Sequence, residues 1–236
     1  MQSPPDPMPA VRRIGFRAGV AAFSATIAYD VAQILQVLGV LHFPIDEILI
    51  FGTSLCLVAA FVLEILAFHY TRTSDRQFWS HAALIVTTMY AVFATANYVV
   101  QLTTVIPARL RGAEDTIRVL EQTPHSLLWD FDAIAYLAMG LATLAMIPAL
   151  RNTDVERRAR AACAANVVAT MLAGVVYFAP TYSYRLLLLG FPWGITAPAF
   201  MLLLGLTMRA EDRASRSNEL PRRLSLLSTS TAAIER

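Results

Sequence analysis

The sequence contains no lysine, so all 19 of its basic residues are arginines. A retinal protein of the usual kind is excluded, because its chromophore forms a Schiff base with a lysine. Charge of either sign is scarce, since charged residues make up only 15% of the chain, against roughly 25% in soluble domains. Hydrophobic residues make up 56%, and the mean hydropathy is +0.53. This composition indicates a membrane protein, because a lipid-facing surface needs apolar side chains.

Cysteine and histidine are also rare, and neither forms a metal-binding pattern. Cys56 and Cys163 fall in apolar stretches, where we expect small buried hydrophobic side chains and no disulfide. The four histidines lie at the ends of apolar stretches or between them, unlike the buried haem ligands of a membrane cytochrome, and they lack the H-E-x-x-H spacing of zinc hydrolases: His42, His69, His81 and His125. We therefore expect neither a metal site nor a cofactor.

Six apolar stretches dominate the chain, and each is long enough for a helix to cross a hydrocarbon core of ~30 Å. They are Ile14–Leu41, Ile48–Tyr70, Phe78–Ile106, Leu127–Leu150, Ala161–Pro180 and Leu186–Met208. Within lipid a chain must satisfy its own backbone hydrogen bonds, so stretches of this length are expected to be helices. The sequence predicts an all-α integral membrane bundle of about six transmembrane helices, with its transmembrane domain over 12–208.

The arginines outside these stretches predict the orientation of the bundle. They concentrate in four segments that alternate to lie on one side: Arg12, Arg13 and Arg17; Arg72 and Arg76; Arg151, Arg157, Arg158 and Arg160; Arg209, Arg213, Arg216, Arg222 and Arg223. The other loops hold only Arg109, Arg111, Arg118 and Arg185. The positive-inside rule therefore predicts a multi-pass inner-membrane protein with both termini in the cytoplasm.

Three of the segments outside the six apolar stretches carry predictions of their own. Residues 1–11 lack the apolar core of a cleavable signal peptide and are predicted to be disordered, so the first helix is expected to act as the targeting signal. Residues 209–236 are rich in Arg, Ser and Glu, which predicts a disordered cytoplasmic tail. In the loop 107–126, apolar residues recur at helical spacing from Leu110 to Leu120. That pattern predicts a short outer interfacial helix, with a solvated loop as the alternative.

Polar residues within the predicted helices are costly in lipid, and their positions follow a pattern. In five helices they recur at spacings that return to the same helix face: Thr26, Asp30 and Gln33; Thr53 and Glu64; Tyr90, Asn97, Gln101 and Thr104; Asp132, Tyr136 and Thr143; Asn166, Thr170 and Tyr177. Five helices therefore each carry one polar stripe. We expect the stripes to face one another inside the bundle.

The richer part of this polar interior is predicted in the outer half of the membrane, where it would bind a small-molecule ligand. The predicted binding groups are Asp30, Gln33, Asn97, Gln101, Asp132 and Tyr136. Glu64, nearer the cytoplasm, is a candidate proton or ion site. Neither Asp30 nor Glu64 has an intramembrane arginine to pair with, so the low dielectric favours the protonated acid. The alternative is that the amides, hydroxyls and phenols only join helices by hydrogen bonds.

The sixth stretch carries Pro192 and Pro198, which predict a kinked helix. This helix is a candidate moving element, and the alternative is a kink that serves packing only. The segment Phe-Pro-Trp-Gly-Ile-Thr, residues 191–196, and the segment Asn-Tyr-Val-Val-Gln-Leu, residues 97–102, resemble those of small, uncharacterised multi-pass inner-membrane proteins of bacteria. The resemblance implies a membrane bundle and no particular activity.

Three functions are compatible with this pattern. The leading hypothesis is a polar cavity that binds a small molecule and transports or senses it. The second is an intramembrane enzyme in which a protonated Asp30 or Glu64 acts as general acid on a lipid or isoprenoid. The third is a structural subunit of a membrane complex, in which small residues such as Ala91, Ala94 and Ala96 form an outer helix face. In each case the lipid bilayer is the partner, no nucleic acid is expected, and the oligomeric state is open.

Overall fold

The computed structural model describes residues 8–234, apart from the side chains of 184 and 218–234. Six long helices account for most of these residues: α1 Met8–Val37, α2 Ile45–Tyr70, α3 Ser74–Val100, α5 Leu127–Ala149, α6 Asp154–Phe178 and α8 Phe191–Ile234. Two short helices lie between them, α4 at Ile106–Leu110 and α7 at Tyr184–Leu187. A π-helical turn over Gln101–Val105 joins α3 to α4 without a break.

Six helical segments of the described chain are long and apolar enough to cross a membrane, which confirms the predicted all-α membrane bundle. The helix ends differ from the prediction in places. Helix α1 begins at Met8, six residues before the predicted Ile14, and α8 begins only at Phe191. Pro192 therefore lies in the first turn of α8, where the missing backbone N–H leaves no hydrogen bond unmade. Only Pro198 lies well inside that helix.

The long helices form a closed ring in the order α1, α2, α3, α5, α6 and α8, and α8 packs back onto α1. The ring is filled by large apolar side chains that are almost fully buried: Phe61, Phe68, Met139, Met146, Phe200, Met201, Leu204 and Met208. The ring of Phe61 packs edge-on against Tyr90 and Phe200, each at 5.7 Å between centroids. Residues of α2, α3 and α8 thus meet at the centre.

The outer surface of the ring is apolar, unlike that of a soluble protein. Large apolar residues are exposed around the outside of the ring, among them Val31, Leu63, Val92, Leu141, Met171 and Ile195. Polar residues of the predicted stripes are buried, including Thr26, Glu64, Asn97, Asp132 and Asn166. Cys163 is buried as expected, whereas Cys56 is exposed on α2. An apolar exterior of this kind suits contact with lipid tails.

The arginine-rich end of the bundle is closed by an ion-pair network, which consists of Arg12, Arg72, Arg151, Glu156 and Glu211. The side chain of Arg72 is fully buried, with Nη1 3.3 Å from Glu156 Oε2 and Nη2 2.5 Å from Glu211 Oε1. Arg12 and Arg151 approach Glu211 at 3.7 and 3.6 Å. The network joins α1, α6 and α8 to the connections after α2 and α5.

This network also bears on the segment predicted as a disordered tail from residue 209. In the structure α8 continues without a break to Ile234. Glu211 is held by the network, and Arg12 Nη1 donates to Ser215 Oγ at 2.7 Å, so the first turns beyond 208 have partners that the sequence pattern did not reveal. Residues 8–11 belong to α1, and the rest of the two predicted disordered segments, 1–7 and 235–236, lies outside the described residues.

The connection between α4 and α5 is folded differently from the predicted interfacial helix over Leu110–Leu120. Helix α4 ends at Leu110, and Gly112 follows with a φ of +70°, a left-handed conformation that glycine adopts without strain. Beyond it only Glu114–Thr116 form a short 3-10 turn. The side chain of Ile117 packs on Val105 and Ala108. Ala113, Ile117 and Leu120 therefore pack on the bundle from an irregular turn. The short helix, α4, lies earlier in the chain than predicted.

Candidate ligand-binding site

A cavity of about 530 Å³ lies at the end of the bundle opposite to the ion-pair network. Its walls come from α1, α2, the end of α3 with the π-helical turn, α5 and the connection that follows α4. It is lined by Tyr29, Gln33, Gln36, Glu47, Ile50, Phe51, Tyr98, Gln101, Val105, Arg109, Glu114, Glu121, Gln122, Thr123, Trp129 and Asp132. Small-molecule sites in proteins have volumes of about 300–1,000 Å³. The cavity is thus large enough for a ligand of ordinary metabolite size.

The π-helical turn and the proline after it shape one wall of this ligand cavity. Pro107 has no N–H to donate to the carbonyl of Thr103, and its ring crowds that carbonyl, which accounts for the wider turn before it. Gln101, the first residue of the turn, is buried and donates from Nε2 to the carbonyl of Leu120 at 2.7 Å. This bond holds the connection after α4 over the cavity.

Helix α5 supplies the other defining wall. It begins after Ser126, whose hydroxyl accepts a hydrogen bond from the backbone N–H of Trp129 at 3.2 Å. This N-cap fixes the start of the helix. Trp129 and Asp132 are three residues apart, so they share one helix face, and both line the cavity.

Asp132 is the most elaborately bonded side chain of the cavity. Tyr98 donates to its Oδ1 at 3.1 Å, and Asn97 donates to the same oxygen at 3.5 Å. Gln122 donates to Oδ2 at 2.9 Å, and the hydroxyl of Tyr177 donates to Oδ2 as well. The carboxylate is only 4% exposed. Four neutral donors from α3, α6 and the connection after α4 therefore converge on one buried acid of α5.

Below the cavity lies a layer of aromatic side chains. The hydroxyls of Tyr29 and Tyr136 are 3.4 Å apart, and the ring of Tyr136 packs edge-on against Trp193 at 4.9 Å between centroids. Trp129 packs against Tyr177 at 4.6 Å. This layer separates the cavity from the apolar centre of the ring and gives it a rigid floor.

The structure brings together most of the predicted binding groups, but not all of them. Gln33, Gln101 and Asp132 line the ligand cavity, and Asn97 borders it through its bonds to Asp132 and Gln122. Tyr136 lies one layer deeper, in the aromatic floor.

Asp30 lies elsewhere in the bundle and does not line the cavity. It is half-buried, and its carboxylate lies against α8, where a Cβ placed on Gly194 would be 2.9 Å from Asp30 Oδ1. The two outer carboxylates therefore occupy separate places, Asp132 facing α3 and Asp30 facing α8.

Glu64 occupies a second, distinct place near the middle of the ring. It is completely buried, and neither carboxylate oxygen has a hydrogen-bond partner among the described residues. Its Oε1 lies 3.6 Å from a Cβ placed on Gly205 and closer still to one placed on Gly19. Two glycines on α1 and α8 thus make the space for this side chain. Within the described part of the chain, no group of His, Cys, Asp and Glu is arranged to hold a metal ion.

Several residues of the site were not predicted. Tyr98 follows the predicted Asn97 directly, but position 98 is not one of the regularly spaced positions of the polar stripe. Gln122 lies in the connection between α4 and α5, just beyond the apolar residues that recur at helical spacing. Arg109 and Glu47 are 62 residues apart in the sequence, and only the fold brings them together, with Arg109 Nη1 2.5 Å from Glu47 Oε1.

Comparison with protein-family models, with curated proteins and with solved structures found no match to this chain.

Proposed function

We propose that this protein binds a small molecule in the ligand cavity and transports or senses it. The observation that carries the proposal is the cavity of about 530 Å³ with a buried, fully hydrogen-bonded carboxylate in its wall. A site of this size with a few convergent polar groups on an aromatic surface is the common form of a small-molecule site. With the arginine-rich end in the cytoplasm of a bacterial cell, the cavity faces the outer side of the inner membrane.

Two parts of the fold would take part in transport or signalling. Below the aromatic floor the ring is filled, and its far end is closed by the ion-pair network. A transported ligand would need the helices to separate there, with Glu211 of α8 leaving Arg72. A sensed ligand would need only a shift of α1 or α5, which carry cavity residues at one end and connect to the network at the other.

The two other functions have less support. An enzyme that uses Glu64 as general acid needs a substrate path to it, but Glu64 is fully buried and lines neither the ligand cavity nor the smaller cavity next to Tyr136 and Trp193. For a structural subunit, an outer face of small residues on α3 is expected. Ala94 instead lies in the core, and Ala91 packs against it.

Replacement of Gln33 by tryptophan should obstruct the cavity and strongly weaken ligand binding. Gln33 lines the cavity near its mouth and is exposed, so a larger ring can be accommodated without unfolding the bundle. Native mass spectrometry of protein released gently from its own membrane should show a bound mass of a few hundred daltons, roughly the size that such sites hold, and that mass should be lost in the Gln33→Trp variant.

Ile34→Trp is the matched control, because Ile34 is the next residue and is 49% exposed on the outer, lipid-facing surface. It should retain the bound mass. A bound mass that persists in Gln33→Trp would place the ligand elsewhere, and a clean apo mass in the parent protein would contradict the proposal itself.

Glu64 is proposed as a proton-binding site. Glu64 is completely buried and has no basic partner among the described residues, and such a carboxyl group is tolerated chiefly in its neutral form. The carbonyl of a buried, protonated carboxyl group absorbs in the infrared apart from the amide bands, so Glu64 is expected to give such a band in the intact protein at neutral pH. The difference spectrum between the parent and Glu64→Gln would assign the band, which should be absent from the variant.

The thermal stability of Glu64→Gln should remain close to that of the parent, because the amide has the size of the neutral acid. Glu156→Gln serves as the control, since the carboxylate of Glu156 is ion-paired with Arg72, and this change should leave the band of the protonated acid unchanged. A large loss of stability in Glu64→Gln would mean that the acid is ionised and paired, contrary to the proposal.

A further inference from the structure

The side chains that line the ligand cavity carry more negative than positive charge. Glu47, Glu114, Glu121 and Asp132 face a single arginine, Arg109. That arginine is already engaged, because its Nη1 lies 2.5 Å from Glu47 Oε1 and its guanidinium lies over the ring of Phe43 at 4.1 Å. Three carboxylates of the lining are left without a basic partner in the cavity.

Among these three carboxylates, Asp132 has the strongest influence on the charge preference of the cavity, because it is buried and all its partners are neutral. Each of its oxygens receives two hydrogen bonds, one from an amide and one from a phenol. A carboxylate accepts at about four lone-pair positions, so this set of donors matches the ionised form. A protonated acid would have to give up one of these four bonds, or reverse one of them by donating its own O–H to a phenol oxygen. The wall of the cavity therefore holds a buried negative charge without a counter-ion among the described residues.

A second polar group beside Asp132 is left incomplete. The Oδ1 of Asn97 is buried and has no hydrogen-bond partner among the described residues, while its Nδ2 donates to Gln122 at 3.0 Å. The free carbonyl oxygen of Asn97, next to the carboxylate of Asp132, adds to the negative potential at this wall of the cavity. Unsatisfied buried polar groups are rare in proteins and often mark an absent ligand or water.

The rest of the lining near Asp132 is aromatic. Tyr29, Tyr98 and Trp129 all line the cavity, and ring faces attract cations. Since the acceptor positions of Asp132 are already filled, its attraction for a ligand acts through space and does not need an N–H donor. A negative potential behind aromatic walls favours a cation whose charge is spread over apolar groups, such as a methylated ammonium.

We infer that the ligand of this cavity is an organic monocation, held by the charge of Asp132 and by the aromatic walls. This inference rests on the proposed function and specifies its ligand class. Glu114 and Glu121, which belong to the connection after α4, would attract such a cation toward the mouth.

The test compares ligands that differ only in charge. Choline and 3,3-dimethyl-1-butanol have the same shape, because a carbon atom replaces the quaternary nitrogen, and benzyltrimethylammonium is a larger cation for the same site. Titration calorimetry of the full chain in detergent should show binding of both cations. The neutral alcohol should bind more weakly by about tenfold or more.

Asp132→Asn should reduce the affinity for both cations by about tenfold and leave the weak binding of the neutral alcohol unchanged. Asp130→Asn is the matched control, since Asp130 is exposed on the same helix and does not line the cavity. If Asp132→Asn does not fold, Glu121→Gln replaces it, with a smaller loss of cation affinity that decreases at high salt.

Equal affinity for choline and its neutral analogue, or an unchanged cation affinity in both variants, would overturn the inference. If the protein still carries a bound neutral molecule in native mass spectrometry, the proposed function stands and only the ligand class is wrong. If neither the cations nor any native molecule binds, both fail.

Discussion

Arg72→Ala is expected to lower the free energy of unfolding by about 3–5 kcal/mol, the usual cost of leaving a buried ion pair with one partner. The guanidinium of Arg72 is fully buried and pairs with Glu156 and Glu211 at 3.3 and 2.5 Å. It also lies 4.4 Å above the ring of Phe68. Its removal leaves two carboxylates facing each other at a closed end of the bundle, with only Arg12 and Arg151 in partial reach of Glu211.

The measurement is reversible unfolding in detergent or, where that fails, the midpoint of thermal denaturation. Arg157→Ala is the matched control, because Arg157 and Asp154 form an ion pair whose side chains are 65% and 81% exposed. Exposed pairs contribute about 0–1 kcal/mol, so the control should change little. Equal small effects for Arg72→Ala and Arg157→Ala would show that the network does not hold the helices together.

The helices and their inward faces could be predicted from the sequence, because both follow from simple physics. A membrane span has a minimum length, and a polar residue in lipid must turn inward, so the stripes that hold Asn97 and Gln101 on one face are readable at helical spacing. The burial of both residues agrees with that expectation.

The neighbours of each face could not be predicted in the same way. Spacing assigns Asp30 and Asp132 to inward faces in the middle or outer half of the membrane, and it therefore predicts one shared site. In the closed ring, α1 meets α8 whereas α5 meets α3, so Asp30 lies against Gly194 and Asp132 against Tyr98. The order of helices around a ring depends on packing between distant segments, which a periodic pattern does not contain.

Loops hold the remaining unpredicted part of the site. Gln122 donates to Asp132, and the carbonyl of Leu120 accepts from Gln101, yet both residues come from a connection with a misleading helical spacing. That spacing arises because Ile117 and its neighbours pack on the π-helical turn and α4. Apolar loop residues that cover a cavity and apolar residues of a surface helix therefore produce the same sequence pattern.

Gly19→Ala is expected to destabilise the bundle by about 1–3 kcal/mol, as overpacking of a tight core does. A Cβ on Gly19 would lie 3.0 Å from both the Cα of Gly205 and the carbonyl oxygen of Met201, and would overlap the carboxylate of Glu64. Backbone atoms of α8 cannot rotate away, so α1 and α8 would have to separate. Gly52→Ala is the control, because nothing lies within 4 Å of that Cβ, and it should stabilise α2 by up to about 1 kcal/mol.

The double variant Gly19→Ala/Glu64→Ala separates the two sources of strain at this crossing. Shortening Glu64 vacates space that the new methyl group can occupy, so the combined loss of stability should be smaller than the sum of the two single losses. A residual loss should remain, because the contact with the backbone of Gly205 is unchanged. Strict additivity would mean that Glu64 does not lie at the α1–α8 crossing, and it would remove the reason for treating its carboxyl group as enclosed and protonated.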